Sequence, residues 1–276
     1  MSTAPPSHRP IFLLGFPRGG TTFVQRVLNC HRRVTVWGEN NGIVSLLRRA
    51  HEAFATPPKA VPDRAQYLDF TRFADRFLPR TVPIDESEFA LRIRDLLTST
   101  YVRPGEDERF WGFKEFRHEP VEDVEFLLRL FPHGRVAFLL RHPRELLLSQ
   151  FRVSWSDAGA AASAEAYVRG FLEAYRERVE AISTAAARWP ASVRVWRYEA
   201  LAERVEPAAL FGDVGVPEEG IDHDLLAVAL RTKVGSSFGD VGREVDPRDE
   251  REIRRLYEAL AGSAFAEESR RDGGAR

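Results

Sequence analysis

A glycine-rich stretch with one arginine and two threonines, residues 15–22 (GFPRGGTT), follows an apolar run near the start of the chain. The glycine spacing is typical of a phosphate-binding loop, in which backbone N–H groups and the positive end of the next helix bind an anion. Thr21 stands where a kinase has the lysine that reaches the β- and γ-phosphates of a triphosphate. The loop therefore predicts a nucleotide other than ATP in its usual pose, with Arg18 supplying the positive charge.

A second anion site is predicted in residues 139–149 (LLRHPRELLLS). Arg141 ends an apolar run, Pro143 suits the first position of a helix, and Ser149 lies two turns farther on. Arg141 and Ser149 are both able to bind one phosphate. An ordinary helix start with a buried serine is the alternative for this segment taken alone.

Five short apolar runs predict buried parallel strands, and they lie at 11–14, 33–37, 110–113, 135–140 and 193–196. Helical patterns separate the runs, which predicts an α/β fold with a doubly wound parallel sheet and flanking helices. Ligands of such sheets bind at the carboxyl ends of the strands. Five polar side chains follow the predicted strands and should converge there: Arg18, Glu39, Lys114, Arg141 and Tyr198.

These features together resemble the sulfotransferase family. Residues 17–22 are similar to its 5′-phosphosulfate loop, and Arg141 with Ser149 is similar to its 3′-phosphate-binding motif. The resemblance implies a P-loop-like fold, 3′-phosphoadenosine 5′-phosphosulfate as donor, adenosine 3′,5′-bisphosphate as product, and no metal. Two phosphate sites suit a nucleotide with phosphates on opposite sides of its ribose, which a simple kinase does not need.

The resemblance also implies the donor-binding residues. Tyr198, in residues 196–201 (WRYEAL), matches the segment whose aromatic ring packs near the adenine, although a half-buried tyrosine at a strand end is the alternative. Ser236 and Ser237 resemble the segment that closes over the nucleotide, although short loops of serine and glycine are common in proteins. The full donor-binding set is Arg18, Gly19, Gly20, Thr21, Thr22, Phe23, Arg141, Ser149, Tyr198, Ser236 and Ser237.

Three residues are implied as catalytic: Arg18, Glu39 and Lys114. Residues 112–115 (GFKE) resemble the third-strand segment whose lysine reaches the transferring group. Many cytosolic members have a histidine base two residues later, where this chain has Phe116. Residues 37–39 (WGE) resemble the branch with tyrosylprotein and several bacterial carbohydrate sulfotransferases, in which the glutamate is the base. Glu39 is therefore the predicted base, and pairing with Arg18 or Lys114 is compatible with that role.

Glu115 and His118 are the fallback bases. Two alternative functions remain for the whole chain. A nucleotide kinase or other P-loop phosphotransferase would have the same fold and the same glycine loop. A non-catalytic nucleotide-binding regulator would have the same cleft but no turnover. The absent lysine argues against the first, and the presence of Glu39 argues against the second, because a protein that only binds needs no base.

Residues 40–104 separate the second and third strands by far more than a normal crossover. Their mainly helical pattern, interrupted by prolines, predicts a helical insert that covers the site and determines acceptor specificity. Helical spacing favours core positions over pocket positions for its aromatic residues. Residues 154–166 predict a mobile loop. The aromatic residues of the 40–104 insert are Phe54, Tyr67, Phe70, Phe73 and Phe77.

The chain of 276 residues predicts one domain, residues 1–276, with a disordered tail at 267–276. Its net charge of −1 argues against nucleic acid or an anionic membrane as a partner. One cysteine, Cys30, excludes an intramolecular disulfide, and no stretch predicts a membrane segment or a metal site. We expect a cytoplasmic enzyme that acts on a hydroxyl group of a small-molecule or carbohydrate acceptor.

Overall fold

Five parallel strands form the central sheet, in the order β2-β3-β1-β4-β5. The strands are β1 (Arg9–Gly15), β2 (Val34–Trp37), β3 (Phe110–Glu115), β4 (Arg135–Leu140) and β5 (Val193–Arg197). This α/β architecture confirms the fold class predicted from the alternation of apolar runs and helical patterns. The computed structural model describes residues 9–55, 85–102, 110–154, 163–203, 205–231, 248 and 250–257.

Nine named helices flank the sheet in the described part of the chain: α1 (Thr21–Leu28), α2 (Ile43–Ala55), α3 (Glu86–Tyr101), α4 (Pro120–Leu130), α5 (Pro143–Ser154), α6 (Ala164–Arg188), α7 (Tyr198–Glu203), α8 (Pro207–Asp213) and α9 (His223–Arg231). None of the described helices is both long enough and apolar enough to cross a membrane.

The alternation of side chains along β1 divides the core between the two faces of the sheet. Ile11 and Leu13 pack with α1, α8 and α9. Phe12 and Leu14 pack with α3, α4 and α6 on the opposite face. Because both faces are covered, the strand is apolar after Arg9, and its residues 10–15 are buried.

The strand register places the functional ends of three strands side by side. Leu14 of β1 pairs with Glu115 of β3, and Gly15 pairs with Leu139 of β4. The sequence predicts that Lys114 follows the strand, but β3 continues to Glu115, so Lys114 is the penultimate residue of the strand. Parallel strands open their carboxyl ends on a single edge, so this register brings the phosphate-loop, Lys114 and Arg141 regions together.

Part of the predicted 40–104 insert is described, and it is helical there. Arg48 of α2 is buried and donates from Nε to Asp123 of α4 at 2.8 Å, which joins α2 to the main domain. Phe54 is 53% exposed, and its ring meets Phe89 of α3 edge-on at 4.9 Å, so it is not a core residue. The predicted acceptor role of the insert is not tested by this packing.

Several predicted features lie outside the described residues, namely Tyr67, Phe70, Phe73, Phe77, Ser236, Ser237 and the tail 267–276. The predicted loop at 154–166 is described only at its ends, and both ends are helical. α5 continues to Ser154, and α6 begins at Ala164 after the N-cap Ser163, whose hydroxyl accepts a hydrogen bond from the Ala166 N–H.

Candidate active site

The phosphate-loop segment makes a tight turn between β1 and α1. The Gly19 N–H donates to the Phe16 carbonyl at 3.0 Å, and Arg18 has a φ of 64°, a left-handed conformation that is uncommon for arginine. Gly20 is the N-cap of α1, with a φ of 92° and no side-chain cap. Because the first N–H groups of a helix have no partner within it, the turn presents an anion-binding helix end.

Gly20 is required by close packing as well as by its backbone angle. A Cβ at this position would lie 2.2 Å from Cδ2 of Tyr198, the first residue of α7. The Tyr198 ring also meets the edge of Phe23 at 6.2 Å and lies 4.9 Å below the guanidinium carbon of Arg141. The predicted aromatic residue is therefore part of the wall of the loop and joins it to the second anion site.

The two predicted anion sites are joined directly. Arg18 donates from Nε to the Ser149 hydroxyl at 3.2 Å, and Arg141 donates from a terminal nitrogen to the Arg18 carbonyl at 2.9 Å. The Nε of Arg141 is buried without a hydrogen-bond partner in the described part of the chain. A buried, unpartnered guanidinium N–H suits a phosphate ligand. These residues therefore fit a nucleotide that carries two separated phosphates.

Lys114 joins the loop to the predicted base. Its Nζ lies 2.6 Å from Oε1 of Glu39 and donates to the Thr22 hydroxyl at 2.9 Å. The Lys114 side chain is only 9% exposed, whereas the Glu39 side chain is 42% exposed. Lys114 is thus fixed within the site and Glu39 is open to a second reactant. The predicted pairing of Glu39 with Lys114 is present.

Thr21, in the position of the kinase lysine, is buried at the start of α1. Its methyl group lies 2.8 Å from where a Cβ would stand on Gly15, so the side chain packs on the end of β1. The neighbouring Thr22 is half-buried and holds the bond to Lys114.

Glu115, a fallback base in the sequence, is a structural carboxylate in the fold. One oxygen accepts from the N–H groups of Phe116 and Arg117, both at 2.9 Å. The other oxygen accepts from the N–H groups of Asn40 at 3.2 Å and Gly42 at 2.8 Å. With four backbone donors and 2% exposure, Glu115 holds the segment after Glu39 in place and is not available as a base.

His118, the other fallback base, is buried and bonded to the end of β1. Its Nε2 lies 3.1 Å from the Gly15 carbonyl oxygen. Burial, together with the nearby charge of Arg178, lowers the pKa of His118 from 6.5 to about 3. The imidazole is neutral at physiological pH but is enclosed by protein, so its role is to hold the strand end.

Two supporting residues carried no signal in the sequence. Tyr175 of α6 donates from its hydroxyl to the Arg141 carbonyl at 3.1 Å, and its ring stacks on Phe16 at 5.0 Å. Gln150 of α5 donates to the Pro17 carbonyl at 3.0 Å. Helical spacing shows that Tyr175 lies on a packed face, but it does not show which loop that face contacts.

The match to known proteins agrees with this arrangement. The sequence profile described as "Sulfotransferase family" matches residues 10–209, which include every described residue of the site. The chain belongs to the sulfotransferase family. The predicted family resemblance is therefore confirmed, and the five-stranded parallel sheet is the P-loop-like core of this family.

Two solved sulfotransferase structures are similar to this chain at low sequence identity. The sulfotransferase domain from the curacin biosynthetic pathway is 16% identical, with a TM-score of 0.51 over 82% of this chain and 79% of that one. Sulfotransferase STF9 from Mycobacterium avium is 15% identical, with a TM-score of 0.48 over 82% of this chain and 68% of that one.

A curated relative is much longer than the shared region. An uncharacterized protein of Aquifex aeolicus (strain VF5) is 27% identical over 157 residues, which make up 55% of this chain and 18% of that protein.

Proposed function

We propose that this protein transfers a sulfuryl group from 3′-phosphoadenosine 5′-phosphosulfate to a hydroxyl group of a small-molecule or carbohydrate acceptor. One observation carries the proposal: Arg18 of the phosphate loop bonds to Ser149, and Arg141 bonds to Arg18. The two anion sites therefore form a single cationic surface. A nucleotide with both a 5′-phosphosulfate and a 3′-phosphate can use both sites at once.

The donor would be held by groups already in position. The end of the loop and the start of α1, residues 19–22, would bind the 5′-phosphate. Arg141 and Ser149 would bind the 3′-phosphate. The late serines predicted to close over the nucleotide, Ser236 and Ser237, remain predictions.

Lys114 and Glu39 would carry out the transfer. The acceptor oxygen forms a bond to sulfur as the bond between sulfur and the bridging oxygen of the 5′-phosphate breaks, and the acceptor proton passes to Glu39. Lys114 and Arg18 stabilise the charge that grows on the departing phosphate oxygen. Because Lys114 lies between Glu39 and Thr22, it can act on the loop side while Glu39 faces the acceptor.

A kinase function has less support. The side chain of Thr21 packs on Gly15 in the position where a kinase needs an extended lysine. The site lysine, Lys114, is instead bonded to Glu39. A binding-only role is also less well supported, since it gives no reason for an accessible carboxylate beside a buried lysine.

The direct test is transfer of radiosulfur from labelled donor to a broad panel of hydroxyl compounds, followed by mass spectrometry of the labelled products. Labelled sulfate esters should form in proportion to released adenosine 3′,5′-bisphosphate. Tight binding of the bisphosphate with no labelled ester from any acceptor would favour the binding-only role and reject the proposal.

Replacing the proposed base should reduce turnover without loss of donor binding. Glu39→Gln removes the proton acceptor, so we expect kcat to fall by about 10²- to 10⁴-fold. Glu122→Gln is the matched control, because Glu122 is exposed on α4 and the substitution changes the charge equally. Near wild-type turnover in Glu39→Gln, with unchanged affinity for the bisphosphate, would show that another group is the base.

A further inference from the structure

A cleft of about 510 Å³ lies beside the phosphate loop, on the side of the predicted base. Pro17 of the loop contributes one wall. Asn41, two residues past Glu39, and Phe116, two residues past Lys114, contribute others. The cleft is therefore bordered by the continuations of both segments that supply the proposed transfer residues. Glu39 itself does not line the cleft, but these continuations make the cleft the candidate acceptor site.

Three arginines line the cleft, and they differ in how they are paired. Arg49 forms an ion pair with Glu119, a carboxylate that also pairs with Arg48, so the charge of Arg49 is engaged within the protein. Arg117 and Arg178 also line the cleft, and neither forms an ion pair with a carboxylate in the described part of the chain. His118, the other titratable group in the lining, is neutral because burial lowers its pKa.

Arg178 is held rigidly in this wall. It donates from one terminal nitrogen to the carbonyls of Phe116 at 2.7 Å and His118 at 2.8 Å, and its guanidinium carbon lies 5.3 Å from the centre of the Phe16 ring. Its Nε is buried and has no hydrogen-bond partner among the residues that the structure describes. A fixed guanidinium of this kind loses little side-chain entropy when it binds an oxyanion.

Arg117 is the exposed counterpart on the same side. Its guanidinium lies 5.5 Å from the centre of the Phe116 ring and donates to the Asn41 side-chain oxygen at 3.3 Å. A half-buried arginine bonded to the Phe116 carbonyl and an exposed arginine over the half-buried Phe116 ring make a surface that attracts an anion and packs against an apolar or sugar ring.

We infer that the acceptor is itself an anion, with a carboxylate, phosphate or sulfate group bound by Arg117 and Arg178 while its free hydroxyl group faces Glu39. This inference rests on the proposed sulfuryl transfer, and it narrows the acceptor from hydroxyl compounds in general to acidic ones. The three oxyanions share the planar or tetrahedral oxygen arrangement that guanidinium groups bind.

The test separates possible acceptors by charge before the reaction. A metabolite extract of the organism that encodes the chain is divided by anion exchange into neutral and acidic fractions. Each fraction is then incubated with the full-length protein and radiosulfur-labelled donor. We expect labelled ester from the acidic fraction and little from the neutral one. Equal or greater labelling of the neutral fraction would overturn the inference and leave the proposed function intact.

Two treatments of the acidic fraction identify the anionic group. Phosphatase treatment should abolish labelling if the acceptor is a phosphate ester, and conversion of carboxylates to neutral amides should abolish it if the acceptor is a carboxylic acid. Labelling that survives both treatments would indicate a sulfate ester. No labelling from either fraction, with bisphosphate binding intact, would instead reject the proposed function.

An arginine variant links the result to the cleft. Arg117→Gln should raise KM for the acidic acceptor by about 10- to 100-fold, because a charge-assisted hydrogen bond is lost, while the affinity for adenosine 3′,5′-bisphosphate stays unchanged. Arg117→Lys keeps the charge and should restore part of the loss. Arg32→Gln, an exposed arginine outside the cleft lining, is the control for net charge. Wild-type KM in Arg117→Gln would contradict the assigned role.

Discussion

Single side chains in this site have two kinds of role, and their hydrogen-bond partners distinguish the two. Lys114 and Glu115 are neighbours in β3 and both are buried, yet Lys114 faces the loop hydroxyl of Thr22 and Glu115 is used up by backbone N–H groups. Alternation along a strand sends neighbouring side chains to opposite faces. Lys114 is therefore available to the reactants, and Glu115 stabilises the backbone around the site.

The role of Arg141 and Ser149 can be tested by comparing two nucleotides. If they bind the 3′-phosphate, Arg141→Gln should weaken binding of adenosine 3′,5′-bisphosphate by about 10- to 100-fold, and Ser149→Ala should weaken it less. The affinity for 5′-AMP, which has no 3′-phosphate, should change little. Calorimetric titration measures both ligands. Equal losses for the two nucleotides would mean that the substitutions disturb the loop and not a separate phosphate site.

At the level of elements, the site depends on how closely the loop before α1 approaches the start of α7. Gly20 has a positive φ and no space for a side chain, because the Tyr198 ring lies against it. This contact joins the segment after the central strand β1 to the segment after the edge strand β5. The spacing of glycines predicts the loop, but only the packing of α7 shows why the second glycine of the pair cannot be replaced.

A methyl group at Gly20 should therefore damage the nucleotide site. We expect Gly20→Ala to displace Tyr198 and to weaken bisphosphate binding at least about tenfold, since the left-handed conformation alone costs about 1–2 kcal/mol. Gly170→Ala is the control: Gly170 is exposed in the middle of α6, and a Cβ there meets nothing within 4 Å. That variant should gain about 1 kcal/mol of stability and bind normally. Normal binding by Gly20→Ala would show that the contact is dispensable.

For the whole molecule, the sequence predicts the fold well because each strand contains a short apolar run and helical patterns separate the runs. The parallel sheet then brings Arg18, Lys114 and Arg141 to one edge without further information. The sequence does not predict the contacts made by α6, since helical spacing identifies a packed face but not its neighbour. Tyr175 and Arg178, which support the loop and line the cleft, are therefore visible only in the structure.

The fallback bases show the same limit. A carboxylate or imidazole after a strand has the right chemistry for a base, but its availability depends on its neighbours. The backbone of residues 40–42 turns back over Glu115, with positive φ angles at Asn41 and Gly42, and this turn supplies two of the bonds that occupy the carboxylate. No local sequence pattern predicts that the backbone of residues 40–42 turns back over Glu115.

The buried His118 should make the folding stability of the whole protein depend on pH. Its pKa is about 3 in the folded state and 6.5 when unperturbed, so between these values the unfolded chain binds a proton that the folded chain does not. Stability is therefore lost as pH falls below 6.5, by about 1.4 kcal/mol per pH unit. From pH 7 to pH 5 this residue should account for a loss of about 2 kcal/mol.

Denaturant unfolding of His118→Gln at several pH values measures this effect. The variant should be less stable than the wild type at pH 7, but its stability should fall less between pH 7 and pH 5. His133→Gln is the control, because His133 is exposed. His31, another histidine whose pKa is lowered by burial, remains in both variants and contributes equally. Parallel pH profiles for His118→Gln and the wild type would contradict the assignment.

The central claim is that the two anion sites bind one nucleotide with phosphates on both sides of its ribose. Calorimetric titration with adenosine 3′,5′-bisphosphate and, separately, with ATP and magnesium compares the two ligands directly. The joined arrangement of Arg18, Arg141 and Ser149 predicts that the bisphosphate binds at least about tenfold more tightly, because only it can occupy both sites. Tighter binding of ATP with magnesium would contradict the claim and favour a phosphotransferase.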